Sequence, residues 1–358
     1  MSHNFRMSEF NLIEKYFTRP AAQADLGVGD DAALISLGAG MQLAISSDML
    51  VEGTHFFHDA APHDIGWKAL AANVSDMAAM GAQPKWATLA IALPQILPSP
   101  SQGEGQDGGR SFTPTLVSTP TPTLPLKEGG GINEAWIAEF SRGFFACADM
   151  FNIDLIGGDT TRGPLNISVT IMGEVPSGQA IKRSGAQVGD DIWVSGQLGS
   201  AALGLAHLQG KTHVPEAILP ACLNTLHTPT PRAALGLALR SIATSCIDVS
   251  DGLLADLGHI LIASNCGATL DLEKIPCIEY FKNDLDNAEI QQMLLAGGDD
   301  YELCFTAPKS KCGEINLLCK QLNLAITCIG NTRMAIGLQT DYKNKKITLL
   351  KQGFDHFA

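Results

Sequence analysis

Seven aspartates stand beside glycines or at the ends of apolar runs: Asp31, Asp48, Asp76, Asp159, Asp248, Asp251 and Asp299. Carboxylates are hard oxygen donors suited to Mg²⁺ or Ca²⁺, and Ile45-Ser-Ser-Asp-Met49 places two hydroxyls, Ser46 and Ser47, in front of one of them. If these acids converge, their mutual repulsion demands several divalent ions. A nucleoside triphosphate brings such ions with it, because Mg²⁺ bridges phosphate and carboxylate oxygens during phosphoryl transfer. Lys182 and Arg183 supply the few cations placed for direct phosphate contact.

Each motif also has a plainer reading. Gly27-Val-Gly-Asp-Asp-Ala-Ala33 is as much an Asp-capped turn as a ligand loop, and Ser250 or Asp251 in Ile247-Asp-Val-Ser-Asp-Gly-Leu253 can cap the helix that follows. His55 lies among aromatics, where a histidine more often packs than binds. Asp76 is the sharpest case. Lys68–Gly81 is helical and apolar on most faces, so the helix is buried, and a buried carboxylate is costly unless paired or bound to metal. Leu155-Ile-Gly-Gly-Asp159 and Gly297-Gly-Asp299 repeat one device: glycines that allow close approach, then an acid.

The elements that must position these residues alternate between helix and strand. Strands are predicted at Gln42–Ser47, Trp86–Leu93, Ile153–Ile156, Asn166–Gly173, Asp191–Ser195 and Cys246–Ser250, with helices near Asp64–Met80, Asn133–Met150 and Gly252–Ser264. The pattern restarts near Pro176, dividing the chain into an N-terminal domain of residues 1–175 and a C-terminal α/β domain of residues 176–358. Residues 97–131 are nearly all Pro, Gly, Ser, Thr and Gln, and read as a disordered insertion that neither binds nor catalyses.

Composition narrows the function classes. Acidic residues outnumber basic ones 37 to 24, a formal charge of −13, with no basic block to follow a phosphate backbone, which argues against nucleic-acid binding. No run of about 18 uncharged apolar residues is present to cross a membrane. The nine cysteines include no C-x-x-C pair and sit mostly among apolar neighbours, as expected of a soluble, cytoplasmic protein. P-loop, dinucleotide-binding, zinc-protease and serine-hydrolase motifs are all missing.

Taken in order, GVGDDAALI, ISSDMLVEGTHF, GWKALAANVSDMAAMGAQPKW, LIGGDTTRG, KRSGAQVGD, IDVSDGLLADLGHI and GGDDYELCF resemble the thiamine-monophosphate kinase family, within the aminoimidazole ribonucleotide synthetase-like superfamily. The likeness runs from about Glu9 to Phe357 except the insertion, and begins just after Met7, a candidate natural start. It implies an α/β (α+β) fold of two domains, the N-terminal one a ferredoxin-like mixed sheet that pairs in a homodimer. The implied activity is ATP-dependent phosphorylation of thiamine monophosphate to thiamine diphosphate by direct in-line transfer. The implied Mg²⁺ ligands are Asp31, Ser46, Ser47, Asp48, Asp76, Asp159, Asp248 and Asp251, with Asp48, Asp159 and Asp251 central to catalysis. ATP would meet Gly158, Asp159, Arg183 and Ser250, and thiamine monophosphate would meet His55, Asp299 and Phe354. Two positions depart from the family: Asp299 replaces the usual Glu, one methylene shorter, and Phe354 replaces a Tyr or Trp, keeping the ring without its polar handle. The rivals are an acyl-phosphate-forming synthetase or dehydratase of the same superfamily, and a non-catalytic sensor of divalent ions or nucleotide.

Overall fold

A computed structural model describes residues 9–94, 132–349 and 353–354. The Pro/Gly-rich insertion lies outside the described residues. After a short helix α1 (Glu9–Leu12), the first half runs β1 (Met41–Val51), α2 (Pro62–Ala79), β2 (Gln83–Leu93), α3 (Glu134–Phe151), β3 (Asp154–Arg162) and β4 (Asn166–Pro176). The strands form one mixed sheet in the order β1-β4-β2-β3, with β2 and β3 parallel and the other pairs antiparallel. The edges of this sheet are therefore β1 and β3.

The second half contains β5 (Asp191–Ser195), α4 (Ser200–Leu208), α5 (Leu219–His227), α6 (Ala233–Ala238), β6 (Ser245–Val249), α7 (Leu253–Ser264), β7 (Gly267–Asp271), α8 (Glu279–Lys282) and α9 (Ala288–Ala296). It continues through β8 (Glu302–Ala307), α10 (Cys312–Leu322), β9 (Ile326–Arg333), β10 (Gly337–Tyr342) and β11 (Lys345–Lys346). Its sheet runs β11-β10-β7-β9-β5-β8-β6. Strand β8 is buried at all six positions, as expected of a strand covered on both faces, and its one charged residue, Glu302, is paired there with Arg232.

Helix α2 joins the halves. It packs on β1, β4 and α3 on one side and on α6, β6 and β8 on the other, which explains a helix apolar nearly all round. One core cluster accordingly mixes Leu70, Val74 and Met77 of α2 with Leu235, Leu303 and Phe305 of the second half. Helix α3 starts where Asn133 accepts a hydrogen bond from the Trp136 backbone N–H.

Two of the strands that extend beyond their predicted ends carry candidate site residues. Strand β1 continues to Val51, so Asp48 lies within the strand rather than past it. Strand β3 continues through both glycines to Arg162, so Asp159 is a mid-strand residue rather than the end of a broken strand. All nine cysteines are free thiols, six of them buried. Among the described residues, no helix is long and apolar enough to cross a membrane.

Candidate active site

Four of the seven aspartates converge between the two halves. In β1, Ser46 and Asp48 pair across the sheet with the buried Ile171 and Val169, so both side chains point to the helix-covered face. There the Ser46 hydroxyl donates to Asp76 Oδ2 of α2 at 2.6 Å. Burial pushes Asp48 up to about 7, aided by the charge of Asp76, a hydrogen bond to it, and the charge of Asp251. Burial also raises Asp76 above the ordinary carboxylate range, against the Ser46 hydrogen bond and the nearby Arg183 guanidinium. At the end of β6, burial and then the charge of Asp76 push Asp248 up to about 8.

This electrostatic pattern is the test of whether a metal fits. Carboxylates crowded until they retain protons near neutrality lack cations, and hydroxyl plus carboxylate oxygens are the donors that Mg²⁺ takes. Among the described residues, no three His, Cys, Asp or Glu side chains are already arranged as a metal cage. Mg²⁺ commonly uses one or two carboxylates and completes its shell with phosphate oxygens and water, so the donor set fits an ion shared with substrate.

Asp31 and Asp159 depart from the expectation of one shared pocket. Asp159 pairs with Ala90, Ala90 with Ser168, and Ser168 with Met49, so its side chain is on the sheet face opposite Asp48. Strand order adds to the separation, because β3 and β1 are opposite edges, roughly 14 Å apart at typical strand spacing. Ser47, also expected with Asp48, alternates onto that opposite face and lies 3.0 Å from Thr170 Oγ1. Asp31 and Asp159 instead line a cavity of about 640 Å³ with Phe10, Phe17, Gly157 and Gly158. Gly158 sits at φ +153, and a Cβ there would fall 1.9 Å from the Leu89 carbonyl oxygen, so the position admits only glycine. The plainer reading of the first motif also holds locally, since Asp30 Oδ1 accepts the Asp31 backbone N–H at 2.9 Å.

Asp299 and Phe354, with Ser250 and Asp251, gather at the loop between β6 and α7. The Asp299 N–H donates to the Ser250 carbonyl (2.9 Å), the Tyr301 N–H to the Val249 carbonyl (2.8 Å) and the Phe354 N–H to the Asp251 carbonyl (3.0 Å). Asp299 and Tyr301 both have positive φ, +67 and +50, a costly conformation for non-glycine residues. Phe354 leaves about half its surface, 52%, open. Farther along β1, the Val51 N–H donates to His55 Nδ1 at 3.0 Å, which fixes the neutral ring as the Nε2–H tautomer.

Further residues without an expected role emerge here. Lys68, nearly buried on α2, forms an ion pair with Asp299, Nζ to Oδ1 2.8 Å, and the Tyr301 hydroxyl donates to the same oxygen at 3.2 Å. Half-buried His227 of α5 lies near Lys68, Asp64 and Asp299, and burial lowers its pKa. Asp256, in the first turn of α7, accepts on a single oxygen the backbone N–H groups of Ser250, Asp251 and Gly252, at 3.0, 3.1 and 3.1 Å. An acid among the apolar residues of Leu253-Leu-Ala-Asp-Leu257 was the available signal for it.

Fold and site together define an AIR synthase related protein. The chain matches the family described as AIR synthase related protein, N-terminal domain, over residues 29–106 and 116–175, and its C-terminal counterpart over residues 187–333. It is 41% identical over 355 residues to the thiamine-monophosphate kinase of Salmonella typhimurium, covering 98% of each chain. The chain belongs to the thiamine-monophosphate kinase family. Among solved structures, it resembles the thiamine-monophosphate kinase from Stenotrophomonas maltophilia K279a, with TM-score 0.75, 43% identity and coverage of 89% and 92% of the two chains. It also resembles AaThiL complexed with AMPPCP and TMP, with TM-score 0.69, 27% identity and coverage of 92% of each chain.

Proposed function

We propose that this protein transfers the γ-phosphoryl group of ATP to thiamine monophosphate, giving thiamine diphosphate and ADP. The observation that carries the reading is the meeting of Asp48, Asp76, Asp248 and Asp251, drawn from both halves of the chain, at a charge-starved cluster. An acceptor phosphate is already largely a dianion at neutral pH, so its oxygen attacks the γ-phosphorus without a strong general base. Mg²⁺ held by Ser46, Asp48, Asp76, Asp248 and Asp251 would neutralise charge developing on the phosphates. The protein's own work is positioning: Arg183 and Ser250 toward the nucleotide, and His55, Asp299 and the Phe354 ring toward the thiamine.

Asp31, Gly158 and Asp159 enter through a second copy of the chain. The sheet has open edges at β1 and β3 and an uncovered face carrying Ile45 and Met49, 61% and 52% exposed. Exposed edges and apolar faces call for partners. A two-fold pairing that sets β3 of a second copy beside β1 would bring Asp159 beside Ser47 on the uncovered face, at the edge strand whose other face carries Asp48. Nine unpaired thiols accord with a reducing cytoplasm.

The test is a coupled assay for thiamine diphosphate, with and without Mg²⁺. ADP release that depends on Mg²⁺ and on thiamine monophosphate supports the kinase; release with a carboxylate or amide acceptor instead would assign the chain to the acyl-phosphate-forming branch. Binding of Mg²⁺·ATP without turnover would indicate a sensor.

A further inference from the structure

The start of a helix with free backbone N–H groups and a glycine before it is ordinarily an anion site. Helix α7 has the parts: Asp-Gly immediately before it, Gly252 at φ +117, and three consecutive N–H groups converging. Here all three already donate to Asp256 Oδ2, whose carboxylate is itself buried, 3% exposed. The loop is therefore closed to phosphate through its backbone, because the Asp256 carboxyl already occupies the helix start beside Asp248 and Asp251.

The same loop is the hub of the acceptor side. The Ser250 carbonyl receives the Asp299 N–H, and the Asp251 carbonyl receives the Phe354 N–H. The backbone stays close to its neighbour as well, since a Cβ on Gly298 would stand 2.2 Å from the Ser250 carbonyl oxygen. One carboxylate thus anchors the segment to which two others are tied.

We infer that Asp256 is a positioning residue that converts the start of α7 from an anion-binding loop into a cation-supporting one, and that it sets the metal and acceptor sides in register. This rests on the kinase reading for its kinetic consequence, but not for its structural one. Asp256→Asn keeps the volume and removes the charge; Asp256→Ala removes the acceptor as well.

The test uses the full-length protein and three readouts. Amide hydrogen exchange at residues 250–252 is expected to accelerate at least about tenfold in Asp256→Ala, with a smaller change in Asp256→Asn. Mn²⁺ affinity, measured by electron paramagnetic resonance without nucleotide, is expected to weaken about tenfold in Asp256→Asn. In kinetics, the Mg²⁺ concentration for half-activation and the KM for thiamine monophosphate should both rise, and excess Mg²⁺ should restore kcat in Asp256→Asn. If Asp256→Ala fails to fold, Asp256→Asn carries the test through the same readouts. Unchanged exchange and unchanged Mn²⁺ affinity in a folded variant overturn the inference, as does a wild-type protein that binds no Mn²⁺. A wild type that binds Mn²⁺ with protected amides but makes no thiamine diphosphate overturns the kinase reading alone.

Discussion

Lys68 and Asp299 form an ion pair across the two halves of the protein, Nζ to Oδ1 2.8 Å, with the lysine side chain 6% exposed and the carboxylate 30% exposed. The pair ties α2, which also bears Asp76, to the strained loop before β8. A shorter acid at position 299 is thereby held at a defined point rather than left to swing.

Lys68→Met should release that loop and leave a partly buried carboxylate without its cation. The expected result is a destabilisation of about 1–3 kcal/mol, below the full cost of breaking a buried pair because Asp299 is partly solvated. KM for thiamine monophosphate should rise about tenfold with a smaller fall in kcat, measured by steady-state kinetics. An unchanged KM would remove Asp299 from acceptor binding.

Asp48→Asn should have opposite effects on activity and stability. Loss of a central carboxylate is expected to cut turnover by 10²-fold or more, roughly the scale of losing a main electrostatic group. Without metal, the same change relieves repulsion with Asp76 and Asp251, so the thermal midpoint should rise. Calorimetry on the metal-free protein and the coupled assay check the two halves of this prediction.

Stability without metal should fall as pH rises. Asp48 and Asp248 are pushed up to about 7 and about 8 in the folded protein, and Asp256 to about 7 mainly by burial despite its three N–H donors. An unfolded Asp titrates near about 3.9, so between roughly pH 4 and pH 8 the folded state binds more protons than the unfolded one. The slope of unfolding free energy with pH is then negative across that window. The expected drop in thermal midpoint from pH 5 to pH 8 is on the order of 5 °C, and Mg²⁺ with ATP should shrink it while releasing protons. A flat or rising midpoint in chelator-treated protein would contradict the cluster's electrostatics.

Ile45→Glu should separate the copies of the chain. The side chain is 61% exposed in a single chain, so the change should alter intrinsic folding by no more than about 0.5 kcal/mol. Light scattering should report a shift from dimer to monomer, and activity should fall with it because Asp159 of a second copy would no longer reach the β1 edge. A monomeric variant with full activity would show that one chain holds the complete site.

Much of this was legible in the order of residues. The apolar circumference of Lys68–Gly81 announced a helix buried between layers, the alternation at Asp191–Ser195 a strand, and the motif series a family and its acids, because such signals are local and repeat with the period of the element. What the order of residues could not decide was which acids meet. That depends on strand order, which sets β1 and β3 at opposite edges, and on parity along a strand, which turns Asp48 inward and Asp159 outward once β3 runs through its glycines. Lys68 finding Asp299, and Asp256 gathering three N–H groups ahead of its own helix, are likewise products of packing and of loop shape. Composition supplies the charges, but their distances in space follow from the fold alone.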